Sequence, residues 1–510
     1  MQRQLSGALA PALALALAAG AQVPAHAQAQ ETRGRTFEVT PSVSLGQTVT
    51  DNQVDGTNPS GAAESITTLQ AGVRVASRTG RITGNVDYSL TGVMYARDSR
   101  SNDLQNRLQA NVLGELVERR LFVEALASIS QQPISALAQQ TADGVVRTRN
   151  RTEVSTLALR PRLESRLGSD IDLQMQAALS ATDTGGAAAT SDSTNLSGSF
   201  KLASATGGKF GWSLDGTRNY VDFDEGRRTV DDRLTLGLSL RTDVDWLFRL
   251  RGGMEANNFR RTEGKSQYET WGAGFLWTPS ARTRFSVDAD RRAFGHSHTI
   301  SLEHRSRQSV WRYSDSQDVT RGAADTAASL VGAFDLFNQL YASQEPDPVL
   351  REQLVDNLLQ RNNLQRDSQV PVGFLTSAVT LQRRQELSLL LQGQRTSVIA
   401  SAFASDSRRV DTQSSAVDDT VAGNDVRQRG LTFTLSHRLT PSASLSVLAS
   451  GTRGQESAGR RTDLRSVSAF WSERLGPRTN FSLGVRHAEY EADIDPYIEN
   501  AVIANLSLRF

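Results

Sequence analysis

The sequence predicts an all-β protein: a closed, transmembrane, antiparallel β-barrel of about 22 strands, an even number between about 20 and 24, with a short helical insert in one extracellular loop. Three observations predict it. Apolar and polar residues alternate over segments of about ten residues, and a period of two puts one set on each face of a strand. The connections between those segments alternate between tight and loose. The chain is also only 38% hydrophobic. No mature stretch offers about 18 to 20 continuous apolar residues, which excludes a helical membrane protein and suits a barrel, where only alternate strand residues face lipid.

The N-terminus begins with Met1 and Arg3, continues with an apolar run from Leu5 to Ala21, and reaches Ala25-His26-Ala27. A basic start, a short apolar core and small residues at a cleavage point describe a signal peptide over 1–27. Residues 28–36 read as a flexible lead-in and 37–510 as the barrel. Formal net charge is +1, so no bulk attraction to nucleic acid is expected. The cations are nearly all arginine, with Lys201, Lys209 and Lys265 the only lysines. Cysteine is absent, which removes disulfides, thiolate zinc sites and cysteine nucleophiles.

The alternation is clearest in four places. Ile82, Gly84, Val86, Tyr88, Leu90, Gly92 and Met94 oppose Thr83, Asn85, Asp87, Ser89 and Thr91. Ile171, Leu173, Met175, Ala177, Leu179 and Ala181 oppose Asp172, Gln174, Gln176 and Ser180. Leu234 to Leu240 alternates with Arg233, Thr235, Ser239 and Arg241, and Leu431, Phe433 and Leu435 alternate with Thr432, Thr434 and Ser436. Tight turns include Arg78-Thr79-Gly80-Arg81, Gly168-Ser169-Asp170, Thr278-Pro279-Ser280 and Gly476-Pro477-Arg478, whose Pro, Gly, Asp and Ser supply turn geometry. Loose connections run over 51–63, 133–150, 183–192, 405–425 and 454–461. Short periplasmic turns and long extracellular loops follow.

Aromatic residues fall near strand ends and suggest two girdles at the lipid boundary. Phe122, Trp212, Trp246, Trp277, Phe285, Trp471 and Phe481 lie toward the tight turns. Tyr95, Tyr220, Phe259, Tyr268, Phe294, Phe403 and Tyr490 lie toward the loops.

From Ala323 to Leu364, within a connection spanning 321–370, the period becomes helical. Leu330, Phe334, Phe337 and Tyr341 recur at three and four, and Leu350, Leu354 and Leu358 recur at four. Asp347 fits an N-cap with Pro348 at the first helical position. Two short helices are expected, either a lid or plug over the lumen or a self-packed surface hairpin.

The last stretch closes the barrel. Phe510, Leu508, Leu506, Ala504 and Val502 are apolar at alternate positions, and the chain stops on Phe510. A terminal aromatic on such a strand resembles the signal that the barrel-assembly machinery reads in bacterial outer-membrane barrels.

If the apolar face meets lipid, charge must face inward, because an Arg near mid-membrane costs about 2 to 4 kcal/mol. Arg160, Arg162, Glu164 and Arg166 then share one inner face. Arg233 and Arg241, Arg249 and Arg251 with Glu255, and Asp288 and Asp290 line others. They make either a polar conduit or a set of pairs that fill and brace the lumen. For any single residue, bracing is the favoured reading. His296 and His298 form an H-x-H pair without an evident third ligand, so no metal site is expected. No cofactor is expected either. His437 and His487 lack an assembled triad, and no nucleophile elbow or P-loop occurs, so the chain is not read as an enzyme.

The run from Asn102 to Asn111, Gly114-Glu115-Leu116-Val117-Glu118, Leu121-Phe122-Val123-Glu124-Ala125 and Ile129-Ser130-Gln131-Gln132 resembles the N-terminal hairpin of the PEP-CTERM system-associated outer-membrane proteins. Further resemblance lies in Trp311 to Val319, Leu336-Phe337 and Pro346-Asp347-Pro348. The resemblance implies a multi-pass barrel of a Gram-negative cell outer membrane. It implies a role in exopolysaccharide export or surface sorting, as conduit or structural component, with outer-membrane lipid and polysaccharide or periplasmic export components as partners. That family has no established catalytic residues, so none is carried over. A closed binding or scaffold barrel for surface attachment is the alternative, and an outer-membrane hydrolase is a third.

Overall fold

The structure is a computed structural model. It describes residues 37–52, 63–78, 80–97, 102–142, 148–185, 192–205, 208–224, 228–260, 264–321, 333–342, 344–345, 351–352, 354–355, 358–359, 373–410, 425–457 and 459–510. The signal peptide, the lead-in, Thr79, Leu330, Pro346-Asp347-Pro348, Leu350 and Leu364 lie outside the described residues.

The strands are β1 (Phe37–Thr50), β2 (Glu64–Arg78), β3 (Ile82–Tyr95), β4 (Asp103–Val117), β5 (Leu121–Pro133), β6 (Arg151–Leu167), β7 (Ile171–Thr184) and β8 (Ser193–Ser204). Then follow β9 (Phe210–Phe223), β10 (Thr229–Arg241), β11 (Trp246–Asn257), β12 (Ser266–Ser280), β13 (Thr283–Arg292), β14 (Gly295–Arg305) and β15 (Ser309–Arg321). A helix, α1 (Ala333–Tyr341), precedes β16 (Val379–Gln392), β17 (Thr396–Arg409), β18 (Val426–Arg438), β19 (Ala443–Glu456), β20 (Arg461–Arg474), β21 (Thr479–Ala492) and β22 (Tyr497–Arg509). Each strand pairs antiparallel with its sequence neighbours, and β1 pairs with β22, so the 22-stranded sheet has no free edge. This is the closed barrel that the alternation predicts, with the expected strand number.

The outer face is apolar and exposed, as a surface solvated by hydrocarbon must be. Leu45 is 50% exposed and Val502 51%. At the closing seam Val49 faces Val502, Leu45 faces Leu506 and Val43 faces Leu508, so the apolar band continues across the join. Phe510 donates its backbone amide to Pro41 O, tying the last residue to the first strand. Every connection at one end of the barrel is short, while the long ones, from 51–63 to 322–378, all lie at the other end together with the short β13–β14, β19–β20 and β21–β22 connections. By the usual rule, the turn end is periplasmic and the loop end extracellular.

Asp51 locks the seam at the loop end. Asn500 donates from its side chain to Asp51 Oδ2 and from its backbone to Oδ1, each at 2.7 Å. These bonds hold the Asp51 carboxyl below its usual range. A depressed pKa contributes stability above the unfolded value of about 3.9, lost as pH falls through the folded value. Wild type is therefore expected to outlast Asp51→Ala on heating at neutral pH, and the difference to vanish on acidification. A pH-independent difference in melting midpoint would exclude the carboxylate as its source.

The girdle expectation holds at the turn end. Trp246 stacks on Trp277 at 5.5 Å and on Phe248 at 5.8 Å, Phe275 meets Phe285 edge-on at 5.6 Å, and Trp471 meets Phe481 at 6.3 Å. Phe122 is an exception, since it faces the lumen beneath the Arg162 guanidinium. At the loop end Tyr220 points outward under the Arg228 guanidinium, but the other six rings do not follow it. Tyr95, Phe259, Phe294, Phe403 and Tyr490 are all buried, and Tyr268 shares the inward face of Glu255. Tyr490 packs with Tyr497 beside Ala142, Phe403 lies against Gly430 of the neighbouring strand, and Tyr95 packs with Ile66 and Val93.

Candidate functional site

The candidate site is the lumen, and two segments of the chain occupy it. The connection between β15 and β16 leaves from the loop end, as expected, but its helix does not stay there. On α1, Leu336, Phe337 and Leu340 lie on one face by the spacing of a helix, and all three are buried. They pack on Val310, Leu390 and Ile399, close to the turn ends of β15, β16 and β17, together with Val355 and Leu359 of a second helical stretch. Arg305, the last residue of β14, donates to Gln339 O at 3.0 Å. Glu352 then reaches the far wall, where it pairs with Arg74 of β2 at 3.1 Å. The insert thus runs down inside the barrel and bridges opposite walls near the periplasmic end. Of the two expected arrangements, plug and surface hairpin, this geometry is a plug, seated deep rather than over the mouth.

The second segment, 134–142, crosses the mouth. Asn150 staples its base, accepting from Ser135 N at 2.8 Å and donating to Ser135 O at 2.9 Å. From there it crosses to β18–β22. Ala136 and Leu137 pack with Phe374 and Val426, Thr462 donates to Ala136 O, and the Tyr497 hydroxyl donates to Gln140 O at 2.8 Å. Leu375, on the return from the plug, donates its amide to Ile134 O at 3.2 Å. Cap and plug are therefore joined through one stretch of chain.

The wall beneath carries the charges expected of it. Arg249 Nη2 lies 2.7 Å from Asp288 Oδ2, and Arg251 bridges Asp288 at 2.8 Å and Asp290 at 3.0 Å. These arginines stand on β11 and the aspartates on β13, so the pairs must span β12. Gly272 and Gly274 make that possible: they lie between the partners in register, and a Cβ on either would strike the Asp290 or Asp288 carboxylate. Arg160 approaches Glu124 at 3.6 Å, Arg162 meets Glu164 at 3.0 Å, and Arg166 meets Asp172 at 2.9 Å. Arg233 and Arg241 make no ion pair with a described residue, and Arg233 Nε is buried without a hydrogen-bond partner.

The most enclosed group is one of which sequence reasoning placed only Glu255 on the inner face and missed the partners. Glu255 is 0% exposed and receives Arg292 Nε at 3.0 Å, while Arg292 Nη1 reaches Asp318 at 2.6 Å. Nearby, Arg321 pairs with Asp231 at 2.7 Å. The strands β10 to β15 are thus braced by charge. Strands β4 to β9 differ: Gln109, Asn111, Arg160, Gln174, Ser199 and Thr217 point inward and remain exposed, leaving a polar strip beside the plug.

The histidines do not converge. His296 and His298 stand within β14, and His298 Nε2 lies 3.0 Å from Asp315. His437 Nδ1 contacts Thr396 Oγ1, and His487 faces outward beside Asn500. Among the described residues, no group of three His, Cys, Asp or Glu is placed to hold a metal ion.

A comparison with protein-family models finds no match, and one with curated proteins finds none. Among solved structures, the chain is similar to the FrpB iron transporter from Neisseria meningitidis, F5-1 variant, in its apoprotein form. Identity is 11%, coverage 92% of this chain and 81% of that one, and TM-score 0.48. It is similar to a mutant of the ferric enterobactin receptor PfeA from Pseudomonas aeruginosa at 9% identity, covering 92% and 80%, with TM-score 0.44. A loop-deletion mutant of OmpT, an outer membrane protein of Vibrio cholerae, matches at 7% identity, covering 93% and 100%, with TM-score 0.31. At these identities and scores the likenesses carry no argument about function. The chain is an outer-membrane-type β-barrel on the strength of its own closed sheet and apolar outer band.

Proposed function

We propose that this chain is a gated, non-enzymatic conduit for a polar polymer, with exopolysaccharide leaving the cell as the cargo. One observation carries the reading: a helical segment that belongs to no strand occupies a lumen whose other side presents a strip of exposed amide, hydroxyl and guanidinium groups. Barrels of 22 strands are wide enough to need such a plug. Amides, hydroxyls and arginines hydrogen-bond to sugar hydroxyls without demanding one sequence or one charge. The PEP-CTERM resemblance supplies the choice of cargo and of pathway.

The test is a deletion of the gene in its host. Exopolysaccharide is expected to accumulate in the periplasm and to leave the cell again on complementation. The cover at both ends of the lumen favours a second reading, a closed scaffold for surface attachment. Normal export with lost attachment of polymer to the cell would replace the first reading by the second.

A further inference from the structure

Five arginines gather on the outer surface at the loop end of β18, β19 and β20. Their direction follows from their neighbours. Val426 packs on the cap, a Cβ at Gly454 would lie 2.7 Å from Ala136 O, and Thr462 donates to that same oxygen, so these three face the mouth. The alternate residues Arg427, Arg429, Arg453, Arg461 and Arg465 therefore point away from the lumen.

Arg429 stands directly opposite Arg453 in the register. Like charges so placed weaken a strand pair unless something lies between them. Gly451 is opposite both Leu431 and Arg465. The nearest atom to a Cβ built on Gly451 is Leu464 O at 4.0 Å, so the space is open. The result is a notch without a side chain at its centre, edged by Arg429, Arg453 and Arg465. Just below it begins the apolar band, with Leu431 and Val467 more than half exposed.

Carboxylates answer only part of this charge. Asp463 serves Arg453 at 2.5 Å and Arg461 at 2.6 Å, Asp406 lies 3.4 Å from Arg427, and Glu489 lies 3.9 Å from Arg465. Arg429 is exposed and has no acidic partner among the described residues. On β9 and β10, by contrast, outward carboxylates answer the cations: Asp232 meets Arg218 and Lys265, and Asp222 meets Arg228 at 2.9 Å.

We propose that this notch binds the phosphate of an anionic lipid headgroup in the outer leaflet. Guanidinium groups pair with phosphate oxygens in two-pronged geometry, and the apolar strip directly below would receive the acyl chains of the same molecule. The site is independent of what passes through the lumen.

The test is native mass spectrometry of the full chain in a neutral detergent, titrated with diphosphoryl lipid A and, separately, with phosphatidylcholine. Wild type is expected to retain the phosphorylated lipid and not the zwitterionic one. The double variant Arg429→Gln/Arg453→Gln should bind at least about tenfold more weakly, the loss of two charge-assisted contacts. Arg395→Gln/Arg478→Gln removes equal charge at the turn end and should bind as wild type does. Both variants should keep the folded barrel's heat-modifiable mobility on gels. Equal binding by the Arg429/Arg453 variant, an equal loss in the turn-end control, or displacement of the lipid by equimolar inorganic phosphate would each overturn the assignment.

Discussion

Deleting residues 323–364 is expected to convert a nearly silent barrel into an open pore. In planar bilayers the wild-type chain should conduct weakly, because α1 and its partner stretch bridge the lumen from Val310 and Leu390 to Arg74. The deletion leaves a 22-stranded wall with polar inward residues, and single-channel conductance should rise at least about tenfold, as between a plugged and an open large barrel. The barrel should survive the deletion. Its strands pair continuously from β1 round to β22, and the plug contributes no strand to the sheet. Among the described residues, the plug's apolar cluster meets the wall at Val310, Leu390 and Ile399. A deletion variant that folds but conducts no better than wild type would show that the cap alone seals the mouth, and would remove the plug from the gating scheme.

Replacing Arg292 should have the largest effect on stability. Arg292→Ala leaves Glu255, fully enclosed, with Asn257 at 3.1 Å as its one side-chain donor among the described residues. Removing one partner of a buried pair typically costs about 3 to 5 kcal/mol, because the other charge stays desolvated. The same guanidinium also binds Asp318 and lies 4.8 Å over the Phe294 ring, so one substitution releases three contacts. The melting midpoint of the purified barrel should fall by at least about 5 °C. Arg292→Lys should rescue only part, since an ammonium cannot span two carboxylates and a ring in the same plane. The double variant Arg292→Met/Glu255→Met should recover most of the loss. An unchanged midpoint in Arg292→Ala would mean that water already reaches Glu255.

The strands were legible because lipid imposes a rule on every second residue. Leu234, Leu236, Leu238 and Leu240 cannot be read as anything but one face, and they are that face in β10. The inward direction of Arg160, Arg162 and Arg166 follows from the same rule, since the alternation leaves them nowhere else to point. The helical spacing of Phe334, Phe337 and Tyr341 was legible for a similar reason: a period of 3.6 is local. The loop-end rings misled because nearness to a strand end says nothing of which face a ring takes. Tyr490 and Phe403 look like girdle residues in the chain and are buried among other segments in space.

What the amino-acid order determined alone is therefore the barrel: its period, its strand number to within about two, and its outer band. These rest on backbone pleat and on the cost of charge in hydrocarbon, both of which act on each segment separately. Only the tertiary structure decided what fills the barrel. The guanidinium that meets Glu255 comes from β13, the partner of Glu352 from β2, and the seat of α1 from β15, β16 and β17. Contacts between segments so far apart in the chain leave no periodic trace in it, because they depend on closure of the sheet, and closure brings together residues that no spacing rule connects.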